Sequence, residues 1–147
     1  MCAIASILLG VAGWLVTSFF AKPLLDFLNL RSQVHEEVIF TANVGPMAKD
    51  TPAYEKAEES LRRLGAKMHA ANETTSSLLR WFLSKFGYDL AKASGGLIGL
   101  ANSLDTNETW ERAVQINSIQ VGLRLRRDYN DERLRLLESK MQRRYGA

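Results

Sequence analysis

The chain is poor in the residues from which most reactive centres are built. Among 147 residues there is one cysteine, Cys2, so no internal disulfide can form and no pairing reports the redox compartment. Two histidines occur. His35-Glu36-Glu37 is the one histidine–carboxylate cluster, and the second histidine of an HExxH zinc motif would fall at position 39, which is Ile39. With Cys2 far from both histidines in sequence, no Cys/His zinc set assembles. Glu36 and Glu37 are adjacent, so on a helix they diverge by about 100° and do not act as a pair. A GxxxxGK[ST] loop, a strand-borne GxGxxG and a GxSxG elbow are all missing, and Gly95-Gly96 is not followed by the Lys-Ser/Thr of a phosphate cradle. These absences lead to the expectation of a non-catalytic protein with no cofactor, no metal site and no identifiable small-molecule ligand.

Prolines are also few, and each of the three falls where a helix would start or stop. Pro23 suits a kink or a first turn, Gly45-Pro46 is a breaker, and Pro52 follows Asp50-Thr51, either of which can cap a helix. No β-hairpin signal, repeat or low-complexity tract interrupts the helical patterning. The expected fold is therefore all-α.

Charge is missing from one long stretch. Cys2 to Ala21 is a run of 20 residues without an ionisable side chain other than the cysteine, and at about 1.5 Å per residue such a run covers the roughly 30 Å hydrocarbon core of a bilayer. No Lys or Arg precedes the run, and Phe19-Phe20-Ala21 is a poor cleavage site, so an uncleaved anchor is expected rather than a signal peptide. Phe19 and Phe20 fit an interfacial aromatic belt. The first basic residues, Lys22 and Arg31, lie just after the span, which by the positive-inside rule places the remainder in the cytoplasm. The sequons at Asn72 and Asn107 are then inert.

Past the span, Leu24, Phe27, Leu30, Val34 and Val38 form one helical stripe, expected to stop near Asn43. Tyr54, Ala57, Leu61, Leu64, Met68 and Ala71 step 3-4-3-4-3, with Glu58–Arg62 and Glu59–Arg63 as i,i+4 pairs. Residues 78–88 are more apolar, and Gly87 is expected to end that helix. Its Trp81-Phe82 segment reads first as buried core. The alternative is an interfacial helix with its apolar arc toward the bilayer and Arg80 and Lys85 reaching phosphates. A helix from about Asp89 to Leu104 contains Gly95, Gly96 and Gly99, and tight packing within the domain is the expected use of these glycines.

A long last helix is expected from Thr106 or Asn107 to about Tyr145, with a fault at Asp128–Asp131. Residues 124–144 hold eight basic and four acidic side chains, net +4, against −1 for the rest of the chain. Leu134, Leu137, Met141 and Tyr145 make one apolar line in this tail, flanked by Arg133, Lys140, Arg143 and Arg144. Such a line reads first as a solvated helical end, with pairing to a partner helix or docking on an anionic membrane as the alternatives. Nucleic acid is a weaker expectation, because the charge alternates in sign and aromatic residues are sparse.

The span followed by KPLLDFLNLRSQVHEEVIFTANV, then LRRLGAKM, then GLIGLANSL, resembles short bacterial single-pass membrane proteins with a helical cytoplasmic region. The likeness covers most of residues 10–125. It implies bacterial origin and an anchored helical architecture, and it carries no activity to any residue.

The expected organisation is a transmembrane anchor over 1–21, a helical domain of four to five bundled helices over 22–127, and a basic amphipathic tail over 128–147. In the inner membrane of a bacterium the N-terminus would lie outside. The expected role is an accessory, scaffold or interaction subunit that contacts the lipid bilayer and a protein partner or its own copies. A membrane-active regulatory or defence effector is the second expectation, and an enzyme of another class the third.

Overall fold

The computed structural model describes residues 2–42, 44, 48–106, 109–125 and 139, and the side chains of all of these except 2–5 and 109. Among them every regular element is helical. Helix α1, Cys2–Val16, runs through a π-helical segment, Thr17–Ala21, straight into α2, Lys22–Thr41. Four further helices follow: α3 (Pro52–Thr74), α4 (Ser77–Lys85), α5 (Leu90–Asn102) and α6 (Thr109–Gly122).

The π segment has a local cause. Pro23 has no N–H, and in a regular α-helix its ring would collide with the carbonyl of Phe19, four residues earlier. The turn before it is widened instead, and the Lys22 N–H bonds to the Thr17 carbonyl five residues back. The Thr17 hydroxyl donates to the Gly13 carbonyl at 2.8 Å. The proline thus does not stop the chain, and α1, the π segment and α2 form one continuous helical rod with a path of roughly 60 Å at 1.5 Å per residue.

The expected stripes are buried. Phe27, Val34 and Val38 of α2 face the core, with Leu24 and Leu30 packed at its edge. Tyr54, Ala57, Leu61, Leu64 and Met68 of α3 are all buried. Thr51 caps α3 by accepting from the Tyr54 N–H at 3.3 Å, and Glu58 pairs with Arg62 at 2.7 Å.

Helix α3 packs on both α2 and α5, and α5 packs in turn on α6. The α3–α5–α6 contacts are close because small residues line them. A Cβ on Gly96 would sit 2.9 Å from Ile119 Cγ1 and 3.0 Å from the Gln115 carbonyl oxygen, and one on Gly65 would sit 2.8 Å from Ile98 Cγ1. The buried Ser94 hydroxyl of α5 donates to the Gly65 carbonyl of α3 at 3.0 Å. Within α5 the glycines divide unevenly. Gly96 and Gly99 face α6, whereas Gly95 faces open space, so the Gly95–Gly99 spacing is not a packing motif.

The last helix departs from expectation. Helix α6 ends at Gly122 instead of continuing. The Leu125 N–H closes back on the Gln120 carbonyl, and Arg124 takes the left-handed conformation at φ 49°. Gly122 itself is needed for clearance: a Cβ there would lie 2.7 Å from the Asp89 carbonyl oxygen and 2.9 Å from the Ala93 nitrogen. The apolar periodicity of Leu123 and Leu125 concealed this stop.

Arginine side chains reach carbonyls at or just past four helix C-termini, where unpaired carbonyls and the helix dipole favour cations. Arg31 of α2 donates to the Leu123 and Arg124 carbonyls at 2.8 and 2.9 Å, just past α6. Arg80 donates to the Asn72 carbonyl at 2.6 Å, at the end of α3. Arg112 reaches the Val44 carbonyl beyond α2, and Arg124 the Phe86 carbonyl at the end of α4. The contacts of Arg31, Arg112 and Arg124 bind sequence-distant segments to one another, and that of Arg80 ties α4 to the helix before it.

Candidate functional site

The exposed large apolar residues fall in a pattern along the rod. On α1, Ile7, Leu8, Leu9, Val11, Trp14, Leu15 and Val16 are all exposed, and Trp14 packs edge-to-face on Phe19 of the same rod with ring centroids 6.3 Å apart. Burial begins in the π segment, where Ser18, Phe20 and Ala21 are half covered. It deepens along α2, where Phe27, Val34, Val38 and Thr41 are buried. The rod is long and apolar enough in its first part to cross a membrane. Its charge begins at Lys22 and Asp26, one and five residues past the apolar run.

Helix α4 meets the rod at this transition. Phe82 packs edge-to-face on Phe20 with ring centroids 5.0 Å apart, and in a tilted arrangement on Phe86 at 4.6 Å. Ser76 caps the helix through the Leu79 N–H, and Gly87 follows it with φ +76°. Leu79 and Leu83 turn inward and are buried. The opposite side carries Leu78, 65% exposed, and Trp81, 58% exposed, while Phe86 at the C-terminal cap is 52% exposed.

This overturns the core reading of Trp81. The wide apolar arc of residues 78–86 is broader than the core contact of a short helix, so only its Leu79–Leu83 side is covered. Phe82 lies at the boundary between the covered and bare sides, half buried.

Two cations belong to this helix. The Lys85 ammonium stands 5.9 Å from the centre of the Trp81 ring, within cation–π range. Arg80 lies on a different part of the surface, and one of its terminal nitrogens is tied to the end of α3 through the Asn72 and Thr75 carbonyls. The two cations named in the interfacial alternative are thus differently placed. Arg80 fixes the α3–α4 corner, and Lys85 stays beside the exposed tryptophan. Phe20 was not picked out from sequence as the partner of α4; its place within the aromatic end of the span was the available signal.

Clefts flank the corner on both sides. One of about 430 Å³ is lined by Asn72, Arg80, Ser84, Tyr88 and Asp89 among others, and one of about 400 Å³ lies between the π segment and the end of α3, with Phe19, Asp26 and Thr74 in its wall. Phe27 and Tyr88 stack edge-to-face at 5.1 Å between them.

His35 and His69 are exposed on α2 and α3, and among the described residues no three His, Cys, Asp or Glu side chains come together as a metal site. Burial pushes the Tyr54 phenol above its usual value, with the Asp105 and Glu58 carboxylates adding to the effect. The tail residues Leu134, Leu137, Met141, Arg143 and Arg144 lie outside the described residues. No protein-family model, curated protein or solved structure matches the chain.

Proposed function

We propose that this is a single-pass protein of a bacterial inner membrane, in which α1 and the π segment cross the bilayer and the helical body acts as a non-catalytic accessory or interaction subunit in the cytoplasm. The observation that carries this reading is the change of surroundings along one uninterrupted helix, from exposed and apolar over residues 6–16 of α1 to packed against the body through Phe27, Val34 and Val38 of α2. A helix continuous through that change has no flexible joint between anchor and body, so the body is displayed at a fixed height and angle. Such an arrangement suits a subunit that presents a surface to a protein partner or to further copies of itself.

Purification in mild detergent tests the subunit role, with recovery of a stoichiometric partner or a defined homo-oligomer as the expected result. A monomer without associated protein would argue against it. For orientation, a C-terminal phosphatase reporter that works only outside the cytoplasm should be silent. The second reading, a membrane-active effector, is favoured by one observation, the exposed Leu78 and Trp81 beside the end of the span. Permeabilisation of the membrane on overexpression would support it over the first.

A further inference from the structure

We propose that α4 lies in the headgroup–acyl boundary of the bilayer that α1 crosses, with Leu78 and Trp81 in contact with lipid. The inference rests on the reading of α1 as the span and adds a second, lateral membrane contact to it.

Depth is the first argument. The apolar run ends at Ala21 and charge begins at Lys22, so the hydrocarbon edge lies at the level of the π segment. Phe82 touches Phe20 within that segment, which sets α4 at the same level and beside the rod.

The second argument is the division of the helix surface. Leu79 and Leu83 fill the core side and Phe82 faces the rod, leaving Leu78 and Trp81 bare on the next side around. An aromatic of this kind, apolar in body with one N–H donor, is favoured at the membrane–water interface. Lys85 sits over Trp81, where its stem can lie along the ring and its ammonium can reach lipid phosphate. These observations favour lipid over a protein partner, because they place the bare side at the depth where lipid is already present. Arg80 contributes by holding the α3–α4 corner, which fixes the height of the helix.

The test uses the full chain in vesicles of mixed neutral and anionic phospholipid, brominated either near the carbonyl end or near the middle of the acyl chain. Trp14, Trp81 and Trp110 are the chain's three tryptophans. Trp14→Phe/Trp110→Phe leaves Trp81 as the reporter, and Trp81→Phe/Trp110→Phe leaves Trp14. The expected result is that Trp81 loses most of its emission to the shallow bromines and little to aqueous iodide, while Trp14 loses most to the mid-chain bromines. Should the double variants fail to fold, the difference in quenching between the natural chain and Trp81→Phe isolates the same residue.

Quenching of Trp81 by iodide alone, with Trp14 still quenched by lipid, would overturn the placement of α4 and leave the span standing. A Trp81 reached by neither quencher would overturn it in favour of a protein partner or a second copy covering α4. A Trp14 untouched by either bromine would remove the span itself, and this inference with it.

Discussion

Helices α1 and α2 are two halves of one rod, yet their side chains meet opposite surroundings. Val11 on α1 is exposed, and Val34 on α2 is fully buried. Both are valines in continuous helix, so local propensity does not distinguish them. The difference is what surrounds them: α2 carries an apolar stripe covered by the body, with polar and charged residues and the exposed Leu25, Leu28, Ile39 and Phe40 on its other sides, whereas α1 is apolar on every side. A stripe can be satisfied by one packed neighbour, while an all-round apolar surface needs an apolar environment on all sides. Two kinds of surface are therefore encoded along a single helix, one covered by protein and one that the proposed reading assigns to lipid.

Substitutions on the packed side should show the largest effects. Leu61 of α3 is fully buried within the core that covers α2, and Leu61→Ala should cost about 2–5 kcal/mol in denaturant unfolding of the detergent-solubilised protein. Val34→Ala should cost about 2 kcal/mol in the same assay. Val11→Ala should leave that transition within about 0.5 kcal/mol, because nothing in the body touches Val11. Equal effects at Val11 and Val34 would erase the distinction between the two halves.

The glycines sharpen the comparison within the body. Gly96→Ala and Gly122→Ala should each destabilise by about 1–3 kcal/mol, since the added methyl would press on Ile119 and Gln115 in the first case and on the Asp89 and Ala93 backbone in the second. Gly95→Ala meets nothing and should stabilise α5 by up to about 1 kcal/mol. Thermal unfolding of the three variants reads both signs. A loss at Gly95 matching that at Gly96 would mean that the outward side of α5 is also packed.

A smaller effect is expected at Arg31, which reaches from the rod to the carbonyls just past α6. Arg31→Gln should cost about 1 kcal/mol, because carbonyls just past α6 lose a charged donor. Hydrogen exchange should report the loss around residues 122–125. No change there would show that the turn holds without α2.

Much of this architecture was legible in the sequence because it is written in spacing. The α3 stripe from Tyr54 to Met68, the Thr51-Pro52 start and the apolar run to Ala21 are each local patterns with a local cause. The features that were not legible depend on a distant neighbour. Gly122 ends α6 where the backbone of Asp89 and Ala93 comes close, and periodicity through Leu123 and Leu125 gives no hint of that approach. Gly95 and Gly99 share a familiar spacing, yet Gly96 and Gly99 are the pair facing α6. Trp81 was assigned to the core from composition, because the arc around it is apolar. Which part of an apolar arc is covered depends on the partner, here Phe20 at the end of the apolar run. The arginines drew attention as charge, and their reach to helix ends shows only once the helices are placed.

The most direct measurement is cysteine accessibility along the rod. With Cys2→Ser as background, Leu8→Cys, Leu15→Cys and Ile39→Cys are each reconstituted in lipid nanodiscs, where both membrane faces are open to a polar maleimide. All three positions are exposed in the folded chain, at 64%, 43% and 61%, so protein packing protects none of them. The account predicts rapid labelling at position 39 and protection at 8 and 15, lost only when the protein is unfolded in sodium dodecyl sulfate. Labelling at 8 and 15 as fast as at 39 would place α1 in water and contradict the account.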